Sequence, residues 1–203
     1  MTCGLSVPLE FHYHLAPVPT CERVPMRSVF AFVLLIASVC APADERAPES
    51  DMQGGCDTYK WNMTREFNLL HATPWMLTAQ QARDDEARWT PLDRRLELTL
   101  APQAQVRLLT QPGRSHDATS SYAGLLKVIV PRTSTYRISA NQRLWIEVVG
   151  PDGVVKSSKF QMRTGCDKLV KSVAFALEPD VVYWVQLTGS PVPDPVLLIT
   201  LDR

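Results

Sequence analysis

Beginning at Leu96, apolar and polar residues alternate at a period of two, and a chain patterned this way buries one side of an extended strand. Leu96, Leu98 and Leu100 alternate with Glu97 and Thr99, and Leu126, Val128 and Val130 flank Lys127. Tyr136 and Ile138 follow the same rule with Arg137 and Ser139. The parity recurs in Leu144-Ile146-Val148, Val173-Phe175-Leu177, Val181-Tyr183-Val185-Leu187 and Leu197-Ile199-Leu201. Turn chemistry separates the runs: Gln111-Pro112-Gly113, Gly150-Pro151-Asp152-Gly153, Glu178-Pro179-Asp180 and Gly189-Ser190-Pro191. About eight short strands at this spacing, with little helix among them, predict a mainly β fold: an antiparallel β-sandwich of the jelly-roll kind.

Upstream the period changes. Tyr59, Met63, Phe67 and Leu70 fall at helical spacing on one face, Asp57 is placed to cap, and Arg65 and Glu66 lie off the stripe. These features predict a short N-terminal amphipathic helix within residues 56–70 whose stripe must be buried against something. Residues 76–95, with Gln80-Gln81 and Asp84-Asp85-Glu86, read as a solvated connector holding at most a helical turn or two.

Met26-Arg27 precedes an apolar run from Val29 to Val39 and then Ala41-Pro42-Ala43, the charged, apolar and small-residue succession of a secretory signal peptide. The run is well short of the ~20 residues that cross a bilayer. A lipid anchor at Cys40 is disfavoured by the branched Val39 just before it. The expected organisation is an over-extended leader over 1–25, a signal peptide over 26–43 and a disordered approach over 44–55. A single domain over 56–203 follows, periplasmic or secreted and free of the membrane after cleavage.

Cleavage after Ala43 would remove Cys3, Cys21 and Cys40 and leave Cys56 and Cys166. An even pair in an oxidising compartment is expected to form a disulfide, with two buried free thiols as the alternative. The loop so closed, about 110 residues, corresponds to ~4–5 kcal/mol in the chain-entropy picture. Processing takes two of the 21 basic and two of the 21 acidic residues and leaves 19 of each. A neutral domain with no basic stripe offers nucleic acid no footprint.

The remaining histidines are His71 and His116. An iron dioxygenase centre of the two-histidine, one-carboxylate type would consume both, and no His-x-His or His-x-x-x-His spacing brings them together, so both read as loop histidines. Ser115-His116-Asp117 has the residue types of a hydrolase triad, but sequence neighbours do not converge as a triad requires, and there is no Gly-x-Ser-x-Gly elbow. His12-Tyr13-His14 falls in the leader. No catalytic residue, metal ligand or cofactor is assigned. Trp145 shares its parity with Glu147, and Trp184 with Gln186 and Thr188, so both point away from the aliphatic face. They are candidates for a stacking platform for a sugar or another planar apolar ligand. The favoured alternative lays the helix over that face, with Tyr59, Met63 and Phe67 on one of the tryptophans.

Cys56-Asp57-Thr58-Tyr59-Lys60-Trp61, Leu98-Thr99-Leu100-Ala101-Pro102-Gln103, Tyr122-Ala123-Gly124-Leu125, Leu144-Trp145-Ile146-Glu147-Val148 and Gly165-Cys166-Asp167 resemble a group of small exported proteobacterial proteins of uncharacterised function. Some carry the name homogentisate 1,2-dioxygenase. Members often have a histidine where this chain has Val170. The resemblance implies an exported β-domain, and its dioxygenase label implies an iron site that the two histidines do not support. The resulting expectation is a non-catalytic binding or accessory module, its partner a carbohydrate, a small apolar ligand or another periplasmic protein. The alternative is a dioxygenase-type oxidoreductase.

Overall fold

The computed structural model describes residues 52–202; the leader, the signal peptide and residues 44–51 of the approach lie outside them. The described chain is mainly β, with eleven strands in two sheets. They are β1 (Trp75–Thr78), β2 (Leu96–Thr99), β3 (Ala101–Pro102), β4 (Tyr122–Val128), β5 (Ser134–Ala140), β6 (Trp145–Gly150), β7 (Gly153–Val155), β8 (Ser157–Met162), β9 (Lys171–Leu177), β10 (Tyr183–Ser190) and β11 (Val196–Leu201). One sheet, here the first, runs β1-β2-β11-β5-β9-β8, and the second runs β3-β4-β10-β6-β7. Every pairing is antiparallel except β1 with β2.

The seven alternating runs are the strands that build the core. Leu96 and Leu98, Tyr136 and Ile138, Val173, Phe175 and Leu177, and Leu197 and Ile199 come from the first sheet; Leu126 and Val128, Ile146 and Val148, and Val185 and Leu187 come from the second. All are buried in one contiguous cluster. The period-two pattern thus places the apolar set of both sheets on a shared interior, the arrangement that removes the most apolar area from water.

Each sheet's outer face is covered differently. On the first, residues 56–70 lie across β5, β9 and β11: Met63 is buried with Leu169 and Leu198, and Tyr59, Trp61, Phe67 and Leu70 pack around them. This segment is a 3-10 turn over Cys56–Thr58 followed by a six-residue helix, α1 (Thr64–Leu69). It is shorter than the sequence pattern predicts, and Met63, not Asp57, occupies the capping position; the Asn62 side chain accepts the Thr64 N–H at 3.0 Å. The segment is tied to its sheet by polar contacts as well. Glu66, fully buried, pairs with Arg137 of β5 at 3.3 Å and accepts the Thr200 hydroxyl at 2.6 Å.

The second sheet's outer face carries a smaller apolar cluster: Ala123, Leu125, Val149 and Trp184 beneath Ala87 and Val106, with Leu108 and Leu109 packed beside them. The cover comes from the connector and from the strap that follows β3, not from the helix. On the opposite, interior side of β4, Gly124 lets the connector approach closely, since a Cβ on Gly124 would lie 2.5 Å from that of Ala79 in the main core. The connector itself differs from its reading as a solvated helical link. It begins with β1, and Gln80 exchanges backbone hydrogen bonds with Leu125 at 2.9 Å.

Candidate functional site

The strap runs from Gln103 to Ser121 and is held to the second sheet by side chains acting as backbone partners. Gln186 of β10, fully buried, accepts the amides of Leu109 and Thr110 at 2.7 and 3.3 Å and donates to the Thr110 carbonyl at 3.1 Å. Glu147 of β6 accepts the Gly113 amide at 2.8 Å and the Trp145 indole N–H at 2.9 Å, and its other oxygen accepts from Gln186 at 3.0 Å. Gln103 accepts the Gly189 amide at 2.7 Å. Gly189 has φ of +66°, and the His116 ring rests against it so closely that a Cβ there would fall 2.3 Å from the ring. Only glycine meets both demands.

Where the strap passes the end of the sheets at which β6 and β9 begin and β10 ends, it roofs a cavity of about 630 Å³. Trp145 and Leu144 form part of the wall, His116 and Arg114 come from the strap, Arg143 from the β5–β6 turn and Lys171 from the start of β9. Thr164 and Gly165 of the β8–β9 turn close one side together with Met52 and Gln53. That turn is fixed by the disulfide joining Cys56 to Cys166, whose Cα atoms are 4.4 Å apart. It is fixed also by the Thr164 and Gly165 amides, which donate to Met52 and Gly54 carbonyls at 2.8 and 3.2 Å. Residues 52–55, assigned from sequence to a disordered approach, are thus hydrogen-bonded to the cavity rim.

Lys171 is the electrostatic centre of the cavity. Its ammonium donates to the Leu144 carbonyl at 3.2 Å and lies 4.6 Å from the Trp145 ring centroid, within cation–π range. Burial first and then Arg114 bring its pKa down to about 8 against the opposing effect of Glu147. Burial also lowers the pKa of His116, as do Arg114 and Lys171. The His116 Nε2 is buried and has no hydrogen-bond partner among the described residues.

The two tryptophans singled out from the sequence do not form one platform. Trp184 is 2 % exposed, under Ala87 and Val106, and offers no face to a ligand. Both side chains do belong to the outer face of the second sheet, but the predicted cover is corrected: the strap and connector lie there, and the helix covers the other sheet. Trp145 is half-buried in the cavity wall with Lys171 over its ring. Ser115, His116 and Asp117 also diverge. The Asp117 carboxylate is held by Thr119 and Ser120, and those hydrogen bonds, the Thr119 hydroxyl's first, lower its pKa, while His116 faces Gly189. His71 is exposed just beyond α1. Among the described residues, the one grouping of three metal-ligating residue types is Cys56, Cys166 and Asp167, and its sulfurs are bonded to each other. His71 and His116 therefore do not fit an iron site.

Arg114, Arg143 and Lys171 carry no signal as a motif, because they sit on three separate elements: the strap, the β5–β6 turn and the start of β9. Lys171 alone was detectable: it has the parity of Val173, Phe175 and Leu177, a lysine on the apolar side of a strand. No known protein family, curated protein or solved structure matches the chain.

Proposed function

We propose that the protein is an exported, disulfide-closed β-sandwich that serves as a non-catalytic binding module in the periplasm and takes a small ligand in the cavity beside Trp145. The observation that carries this reading is the cavity itself, whose volume of about 630 Å³ falls in the ~300–1,000 Å³ range of ligand sites. Its walls are held by a disulfide and by buried hydrogen bonds from Gln186 and Glu147, a preorganisation that lowers the cost of binding. The export pattern of residues 26–43 and the even cysteine pair support the compartment. The strand order supports the jelly-roll form of the sandwich, since β2, β4, β5, β6, β9, β10 and β11 alternate between the two sheets and β2 pairs with β11. The proposal includes kinship with the small exported proteobacterial proteins that the sequence resembles.

Expression with the leader followed by fractionation and mass spectrometry tests the compartment. A periplasmic chain beginning at or near Asp44 is expected, and a full-length membrane-retained chain overturns it. A thermal-shift screen tests the cavity, because a ligand at 100 times its Kd stabilises by about 2.7 kcal/mol and Trp145→Ala should abolish that shift. The dioxygenase reading needs His71 and His116 on one iron; stoichiometric iron in the purified protein would revive it.

A further inference from the structure

We infer that the cavity is an anion site in which Arg114, Arg143 and Lys171 grip the carboxylate or phosphate groups of a small molecule while Trp145 packs against its remainder. The inference rests on the binding-module reading and specifies its ligand. Three cationic side chains and His116 line the cavity, and no carboxylate is among the lining residues described. The acid that acts on Lys171, Glu147, has both oxygens committed to Trp145, Gly113 and Gln186. No carboxylate pairs with Arg114 or Arg143 among the described residues, although ion pairing is the ordinary way to stabilise crowded cations.

The cations come from the strap, the β5–β6 turn and β9, so it is the fold that brings them together. The charges act on one another: after burial, Arg114 is the next cause lowering the pKa of both Lys171 and His116. A bound anion would reverse that effect, because an opposite charge nearby favours the protonated form. Arginine forks match the planar oxygen pairs of carboxylate and phosphate. A neutral sugar fits less well, as Lys171 already occupies a face of the Trp145 ring.

The test is titration of the purified full chain, expressed with its leader, by calorimetry and by the Trp145 indole N–H resonance at low ionic strength and pH 7. Inorganic phosphate, citrate and glucose are the probes, with Arg143→Gln and Lys171→Met as variants; Arg143 is exposed on a turn, so its variant tests the site without endangering the fold. Phosphate or citrate should bind and move the Trp145 signal, and whichever binds tighter identifies the headgroup. Each variant should weaken binding about tenfold or more, the usual worth of a charged hydrogen bond. Affinity should also fall as pH rises through about 8, where Lys171 loses its proton. Anion binding untouched by either variant, or glucose binding alone, overturns the anion assignment and leaves the binding module standing. If no probe moves Trp145, the anion assignment falls, and if the thermal-shift screen is also blank, so does the binding module.

Discussion

The outer faces of the two sheets have the same problem and different solutions. On the first sheet, residues 56–70 cover β5, β9 and β11 through an apolar cluster, a buried Glu66–Arg137 pair and a covalent tie at Cys56. On the second, apolar contact accounts for only the end near Trp184; beyond it the strap is held by hydrogen bonds to Gln186 and Glu147, and at the far end it lifts to leave a cavity. The first cover meets its sheet through an apolar cluster and leaves an open pocket between α1 and Arg137 and Leu201, and the second runs from an apolar cluster to the cavity beside Trp145. Polar anchoring holds the strap's backbone while leaving room beneath it, which continuous apolar packing would fill.

Four expected outcomes would break or sharpen this contrast. Trp184→Ala should cost about 3–5 kcal/mol in denaturant unfolding, as removal of a buried aromatic does; a loss below about 1 kcal/mol would mean that the dry end of the second face is also open. Cys166→Ser should cost about 2–5 kcal/mol and, because the same turn lines the cavity, should also blunt any ligand-induced rise in Tm. An unchanged ligand response would detach the two faces from each other. Gln186→Leu should cost about 1–3 kcal/mol by leaving the Leu109 and Thr110 amides without an acceptor, and limited proteolysis should then cut within residues 109–113. An uncut strap would show that apolar contact alone holds it.

The smallest expected effect is in pH dependence. Lys171 has a folded pKa of about 8 against an ordinary 10.5, so between these the unfolded chain keeps a proton that the folded one has released. Stability should therefore rise with pH over that window. Tyr59, raised by burial from 10.0 to about 12, acts oppositely, and its contribution is lost as pH climbs past 10. In Lys171→Met the rise should vanish in pH-dependent melts while the alkaline fall remains.

The core was legible because each of its strands has one face on the interior, and an extended chain converts that asymmetry into alternating residues. β8 escaped because four of its six residues are exposed, so Ser157-Ser158-Lys159-Phe160 alternates nothing. β1 likewise leaves Trp75 and Met76 exposed. The stripe of Tyr59, Met63, Phe67 and Leu70 did identify a buried face, but periodicity cannot say which sheet receives it. Cys166 decides that, since it lies in the turn between β8 and β9 of the first sheet. The cavity was invisible for a different reason: its cations belong to the strap, a turn and a strand brought together only by the strand order, and lone arginines outside strands ordinarily report nothing beyond solvation.

The strap's anchors also bear on the order in which the molecule assembles. Gly113 waits for Glu147, 34 residues downstream, Leu109 for Gln186, 77 residues downstream, and Gln103 for Gly189, 86 residues downstream. Closing such long loops is favourable only once β6 and β10 are already paired. The strap is thus a late arrival on a preformed surface, and elements that dock last with little buried apolar area are those that open locally without global unfolding. The space beneath it can then widen by the reversal of that final step, with the rest of the domain left intact.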